Sequence, residues 1–223
     1  MYSNLEQEIE RIKVQIMDMF ALTERALDKS LQALVHRDDS LVAQVLKEDK
    51  KINRLEVEIE QLCLSTLALS QPVARDLRFV VGCSRTANNL ERIGDQATNI
   101  AKRAKELNSK PEIVGMNNIQ DLGDIVHEML KKVVTAFSNL GDGLALEVSD
   151  QDDQADDLNL KIIEKQVGLM AQKQIAIEES VHIILVSNYL ERVGDLVTNI
   201  AEHVIFMAKG LNVKHLSQFE NQQ

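Results

Sequence analysis

Two segments of the chain, one hundred positions apart, carry nearly the same sequence. LERIGDQATNIA begins at Leu90 and LERVGDLVTNIA begins at Leu190, and nine of fourteen positions are identical between 90–103 and 190–203. A fixed spacing between similar segments predicts one structural unit used twice. A weaker similarity between the stretches that begin at Asp49 and at Asp152 supports a repeat of about half the chain.

The composition favours helices within each unit. Aromatic residues make up only 3% of the chain, with nine glycines and two prolines, whereas strands favour aromatic and β-branched residues and need frequent turns. Apolar residues recur with the 3.6-residue period of a helix in six segments. These segments are roughly 4–36, 40–69, 72–107, 119–140, 144–172 and 174–211. Asp39 or Ser40 is expected to cap the second helix, and Pro72 to open the third.

Three antiparallel helices with one apolar stripe each can close a core. The repeat therefore predicts an all-α fold of two tandem, structurally similar three-helix bundles. The stretch NSKPEIVGMNN, with Pro111 and Gly115, is typical of a linker between them. The predicted boundaries are 1–110 for the first bundle, 117–211 for the second and 212–223 for a flexible tail.

The negative charge of the chain lies in its second part. Residues 1–110 hold 17 Lys and Arg against 17 Asp and Glu, whereas residues 111–223 hold 8 against 18, which accounts for the whole net charge of −10. An acidic surface repels phosphate backbones and anionic lipid headgroups. Charge therefore disfavours nucleic acid as a partner and favours multivalent cations and basic protein surfaces.

The remaining motifs indicate a cytoplasmic protein without catalysis. Cys63 and Cys83 sit in apolar helical patterns, which predicts two reduced, buried thiols. No signal peptide precedes the first polar helix, and no apolar run has the length of a membrane span. The sequence contains no glycine-rich phosphate loop, nucleophile elbow or Cys/His cluster. We expect no enzyme and no direct membrane insertion.

Each copy of the repeated motif places two carboxylates four residues apart. With Leu90 at the centre of the apolar stripe, Glu91 and Asp95 lie side by side at about 100° and 140° around the helix. Like charges at this spacing cost only a few tenths of a kcal/mol, so one such pair on a solvated face predicts nothing. The pair recurs as Glu191 and Asp195, which indicates that this face is held fixed for a reason.

A hard cation supplies such a reason. Carboxylate and amide oxygens are the ligands that hard divalent and trivalent ions prefer, and ligation would turn repulsion into attraction. Asp49, Asn53 and Glu56 form a polar stripe on the second helix, and Asp152 and Asp156 take the matching places on the fifth. Each half can therefore face two acidic stripes towards one another. The second half has Asn159 where the first has Glu56, so the two sites are expected to differ.

The two motifs, the stretch QPVARDLRFVV and the paired Asp-x-x-(Ile/Ala)-x-x-Leu segments resemble the PhoU family over essentially the whole chain. The resemblance implies two similar three-helix bundles whose Glu/Asp-x-x-x-Asp motifs bind metal clusters. The metals would be divalent or trivalent ions such as Mg, Mn, Fe, Zn or Ca. Carried over, the ligand positions fall on Glu91, Asp95, Glu191 and Asp195, with Asp49, Asn53, Glu56, Asp152 and Asp156 as further candidates.

The resemblance also implies a function. Members of the PhoU family are accessory and regulatory proteins of high-affinity phosphate transport. The implied partners are the ATPase subunit of the phosphate transporter and the sensor histidine kinase of the phosphate-starvation response, whose output the protein holds down. A homodimer is expected from the same resemblance.

Two other classes of function are compatible with a six-helix repeat. A di-metal carboxylate oxidase of the bundle type would use Glu-x-x-His motifs, and Glu179-x-x-His182 and Asp124-x-x-His127 have that spacing or come near it. A metal-free structural helical repeat is the second alternative. The cluster around Arg75 and Arg78 is either a salt-bridged helix start or a docking patch for an acidic partner.

Overall fold

A computed structural model of the chain describes residues 4–110 and 116–213. Within those ranges the chain forms six helices and no strand. The helices are α1 (Asn4–Val35), α2 (Asp39–Ser70), α3 (Ala74–Asn108), α4 (Met116–Asn139), α5 (Asp142–Ala171) and α6 (Ile177–Lys209). The predicted fold class is confirmed. Pro111 and Gly115 of the predicted linker, and 214–223 of the predicted tail, lie outside the described residues, and the domain boundaries stay a prediction.

The helix ends correct three details of the sequence reading. Asp38, rather than Asp39 or Ser40, caps α2, because its extended backbone lets the carboxylate accept a hydrogen bond from the Ser40 N–H at 2.9 Å. Helix α3 begins at Ala74, two residues beyond Pro72. Helix α6 begins at Ile177 rather than 174 and ends at Gly210, whose φ of 75° is the left-handed conformation that glycine adopts without strain.

The six helices pack as two bundles that share one core. Helices α1, α2 and α3 contact each other, as do α4, α5 and α6, and the two bundles meet where α3 packs on α6 and α1 packs on α4. Phe137 of α4 lies in that junction, with its ring centroid 5.4 Å from Phe20 and 6.3 Å from Phe79 of the first bundle. The apolar residues of both bundles therefore form a single buried cluster.

Helices α3 and α6 run antiparallel. Asn89 Nδ2 lies 3.2 Å from His203 Nε2, and an Arg103 guanidinium nitrogen lies 3.4 Å from His182 Nδ1. As the residue number increases along α3, the number of the contacting residue on α6 therefore decreases. The motif centred near Gly94 crosses the motif of α6 close to the middle of each, so the two copies are related by an approximate two-fold rotation.

The interior of the described structure holds both cysteines, as their apolar sequence patterns predicted. None of the six described helices has an apolar stretch suited to crossing a membrane. Cys63 and Cys83 are buried and form no disulfide. Burial raises the pKa of the Cys63 thiol to about 12, and an un-ionised thiol is a poor nucleophile. Both cysteines therefore act as small apolar core residues.

We expect Phe137→Ala to destabilise both bundles together. Removing a fully buried aromatic ring leaves a cavity in the shared core, which costs about 3–5 kcal/mol in the free energy of unfolding. Urea unfolding followed by circular dichroism measures this cost. Leu69→Ala, at a side chain that is 81% exposed, should change the free energy of unfolding by less than about 0.5 kcal/mol. Equal effects of the two substitutions would contradict a shared core.

Candidate functional site

Two acidic seams follow the contacts between α2 and α3 and between α5 and α6. The first seam consists of Asp49 and Glu56 on α2 and Glu91 and Asp95 on α3. The second seam consists of Asp152 and Asp156 on α5 and Glu191 and Asp195 on α6. Helix packing, which is governed by the apolar stripes, brings each pair of acidic faces together.

Burial and neighbouring carboxylates raise the pKa of both α3 carboxyls in the first seam. Burial raises the pKa of Glu91, and the charges of Asp95, Glu56 and Asp49 raise it further, with Arg92 opposing them in part. Burial and then the charge of Asp49 raise the pKa of Asp95 in the same way. Residues predicted on two different helices therefore share one electrostatic environment.

The second seam is more strongly perturbed. Burial raises the pKa of Asp152 to about 7, the Thr198 hydroxyl beside it offsets part of this rise, and Asp195 and Asp156 add to it. Burial and the charge of Asp195 raise the pKa of Asp156. Burial, Asp195 and Asp156 raise the pKa of Glu191. A buried carboxyl among other carboxyls resists losing its proton unless a cation compensates the charge.

A glycine of the motif explains why Asp152 is buried. A Cβ on Gly194 would lie 2.9 Å from Asp152 Oδ1, so the carboxylate occupies the space that a side chain would take. In the first bundle the corresponding Gly94 is covered by Ile52, whose Cδ1 would lie 3.1 Å from an added Cβ. The α5 counterpart of Ile52 is Ala155, which is too short to cover the glycine. The carboxylate fills that place instead.

The same two kinds of oxygen atom are buried in each seam. They are Asp49 Oδ1 and Thr98 Oγ1 in the first seam and Asp152 Oδ1 and Thr198 Oγ1 in the second. Asp49 Oδ1 and Thr98 Oγ1 have no hydrogen-bond partner, whereas the Thr198 hydroxyl is close enough to hydrogen-bond the Asp152 carboxyl. The two threonines were not predicted as site residues, although their recurrence in both motifs was a signal.

The oxygen donors suit a hard cation, but they do not yet enclose one. Among residues 4–110 and 116–213, no three His, Cys, Asp or Glu side chains converge closely enough to hold a metal ion. Asp95 and Asp195 are exposed at the rims of the seams, and Asn53 is exposed on α2 between the turns of Asp49 and Glu56. The donors are therefore assembled on facing helices, with the outermost side chains pointing towards solvent.

The second seam has no carboxylate at the position that Glu56 takes in the first seam. Asn159, the counterpart of Glu56, is buried and accepts a hydrogen bond from the Ser187 hydroxyl, while its amide donates to Asn188 Oδ1 at 3.3 Å. Its side chain faces α6, where its oxygen and its nitrogen both form hydrogen bonds. The expected difference between the two seams thus has a visible cause in Asn159 and in Ala155.

The histidines considered for a di-metal site lie apart from both seams. His182 contacts Arg103 across the α3–α6 junction at 3.4 Å. His127 Nε2 lies 3.6 Å from a Glu24 carboxylate oxygen across the α1–α4 junction. The two motifs serve different contacts between the bundles. Arg78, of the cluster at the start of α3, packs beside Gly210 at the end of α6.

These features define an all-α protein of two repeated three-helix bundles, each with an acidic seam between its second and third helices. The PhoU domain model matches this chain twice, over residues 16–104 and 119–204. The two matches fall on the two bundles. The chain belongs to the PhoU family.

Relatives and solved structures agree with that assignment. The phosphate-specific transport system accessory protein PhoU homolog of Aquifex aeolicus is 35% identical over 211 residues, covering 95% of this chain and 96% of the relative. The homolog of Pseudomonas putida is 33% identical over 210 residues, covering 94% and 82%. The crystal structure of PhoU from Pseudomonas aeruginosa matches with a TM-score of 0.90 at 32% identity, covering 93% of this chain and 100% of that one.

We expect chelator-treated protein to lose stability as the pH rises from about 4 to about 7. The pKa of Asp152 is about 7 in the fold and about 3.9 in an unfolded chain. Over this interval the folded state keeps a proton that the unfolded state has released, so raising the pH favours unfolding. Thermal unfolding at about pH 5, 6 and 7.5 measures the slope.

Two variants on the same helix control this experiment. Asp152→Asn removes the titrating group and should flatten the slope, because an amide has no proton to lose in this range. Asp150→Asn changes an exposed residue of α5 and should leave the slope as it is. The same slope in both variants would contradict the assignment to Asp152.

Proposed function

We propose that this protein is a non-catalytic, metal-binding regulatory adaptor of phosphate transport and phosphate-starvation signalling. The supporting observation is the doubled seam, in which burial and then the charges of neighbouring carboxylates raise the pKa of Glu91 in the first copy and of Asp152 in the second, and in which each copy buries one carboxylate oxygen. The printed names of its relatives, accessory proteins of a phosphate-specific transport system, supply the biological setting.

The seam residues divide into a fixed part and a movable part. Asp49 and Asp152 each hold one oxygen in the helix contact, where it is buried. Asp95 and Asp195 are exposed and can turn towards that oxygen at little cost, since surface side chains change rotamer readily. Bound cations would supply the positive charge that lets all four carboxylates of a seam ionise together. Metal ions such as Mg, Mn, Fe, Ca or Zn would bind this set of oxygen ligands with different affinities.

Closure of a seam would tie its second and third helices together. The rim carboxylates of each seam are accessible. An adaptor of this kind presents a rigid, metal-bearing surface to other proteins. We expect the ATPase subunit of the phosphate transporter and the sensor histidine kinase to bind there, with the kinase's output held down in the complex.

The contacts of the histidines disfavour the di-metal oxidase. The cationic guanidinium of Arg103 lies beside His182 and would repel a metal cation bound to that ring. His127 and His182 also serve different junctions between the bundles. A metal-free structural repeat gives no reason why a buried carboxylate oxygen and a buried threonine oxygen recur in both seams. The adaptor accounts for both observations.

Elemental analysis of protein purified without chelator should find metal that depends on each seam separately. Glu91→Ala with Asp95→Ala should remove the metal of the first seam, and Glu191→Ala with Asp195→Ala that of the second, because each pair contributes half of its seam's carboxylates. Circular dichroism confirms that the variants fold. The rim carboxylates contribute little to the core, so the fold should survive.

A matched control separates ligation from bulk charge. Asp150→Ala with Glu164→Ala removes two exposed carboxylates from α5 outside the seam and should leave the metal content unchanged. Metal content that falls equally in the control, or an absence of metal at any supply, would overturn the proposed binding.

Association with the two partners should require the metal. Pull-down of the purified transporter ATPase subunit and of the kinase's cytoplasmic domain should succeed with metal-loaded protein and fail after chelation. Re-addition of the metal should restore it. Equal capture by chelated, folded protein would show that the seams do not form the docking surface.

A further inference from the structure

The arginine of the repeated motif belongs to neither seam's set of oxygen donors. Arg92 and Arg192 directly follow Glu91 and Glu191 in the chain, and both side chains are exposed. A residue is turned by about 100° around a helix from its predecessor, so each arginine faces away from its own bundle's seam contact. Both face the surface shared by α3 and α6.

The antiparallel packing of α3 and α6 brings the two arginines to one place. Because the motifs cross near their middles, Arg92 and Arg192 lie on either side of the approximate two-fold axis. Both line a single cavity of about 660 Å³ that also reaches Asp152 and Asp195 of the second seam. Two guanidinium groups from two copies of one motif thus share a cavity with the more strongly perturbed seam.

The cavity wall combines groups that suit a cation with groups that suit an anion. Gln96 Oε1 is buried there without a hydrogen-bond partner. Burial raises the pKa of Asp152, and the Thr198 hydroxyl offsets part of that rise by hydrogen bonding to its carboxyl, so this hydroxyl is already engaged. The carboxylate oxygens of Asp152 are acceptors and suit a cation, whereas the two guanidinium groups are donors and suit an oxyanion.

The arginines are not used up in ion pairs. Burial raises the pKa of Asp195 and of Glu191, and the charge of Arg192 opposes part of each rise, so Arg192 lies near the second seam. Within the described part of the chain, however, neither Arg92 nor Arg192 forms a salt bridge. Their planar nitrogen donors are free to engage a ligand, and guanidinium groups match the oxygens of phosphate or carboxylate.

We propose that this cavity binds a phosphate-type dianion through the guanidinium groups of Arg92 and Arg192, beside the cation of the second seam. The inference rests on the proposed function in one respect. Asp152, Asp153, Asp195 and Glu202 also line the cavity, so without a cation the local charge repels an anion. Anion and cation should therefore bind with positive coupling.

Equilibrium dialysis with radiolabelled inorganic phosphate and Mg²⁺ tests the proposal, with Mg²⁺ content measured in the same samples. The intact chain should bind about one phosphate with Mg²⁺ present and at least tenfold less after chelation. Arg92→Gln and Arg192→Gln should each weaken phosphate binding at least tenfold, and the double variant should lose it, while Mg²⁺ uptake measured without phosphate is not reduced. Arg75→Gln, at an exposed arginine at the start of α3 outside the cavity, should bind phosphate normally.

Every result decides the question. Phosphate binding that survives in the double variant, or no phosphate binding by protein that takes up Mg²⁺ normally, overturns this inference and leaves the proposed function standing. Failure of the intact chain to take up Mg²⁺, or Mn, Fe, Ca or Zn supplied in its place, overturns both. Competition by adenosine 5′-monophosphate separates the two sources of the ligand. Displacement of labelled phosphate supports recognition of esterified phosphoryl groups as well, and no displacement restricts the site to the free ion.

Discussion

The apolar packing of two long helices holds carboxylates at a spacing that the carboxylates themselves oppose. A buried Leu or Ile contributes about 1.5–3 kcal/mol, whereas a like-charge pair on a helix surface costs a few tenths of a kcal/mol. Core residues such as Leu90 and Ile93, both fully buried, therefore dictate where Glu91 and Asp95 sit. The charge repulsion that remains in the seams is available for a bound cation to relieve.

The two copies of the motif resolve that tension differently. In the first bundle Ile52 covers Gly94, and the acidic groups stay nearer the surface. In the second bundle Ala155 leaves Gly194 open, Asp152 enters, and its pKa rises to about 7. One aliphatic side chain thus separates two sites with the same motif. The net negative charge of the chain also lies in the part after residue 110, which contains the second bundle.

Periodicity and repetition were sufficient to predict the architecture and the pairing of the acidic faces. Apolar spacing fixes which face of each helix is inward, so the positions of Glu91 and Asp195 followed from their neighbours. The cap at Asp38 was missed, because three adjacent polar residues offer similar capping chemistry and backbone conformation decides among them. The burial of Asp152 could not be predicted, since it depends on the length of a residue on the same helix and a glycine on another. The antiparallel crossing of α3 and α6, which brings Arg92 to Arg192, is a tertiary relation that helix patterns alone do not contain.

The crossing of α3 and α6 gives one polypeptide the symmetry of a dimer without its restrictions. In a homodimer, any substitution near the axis appears on both sides, so the halves change in step. Here the covalent link frees each half to mutate alone, as Ile52 and Ala155 show. A molecule of this kind can keep a symmetric scaffold while its two acidic seams diverge.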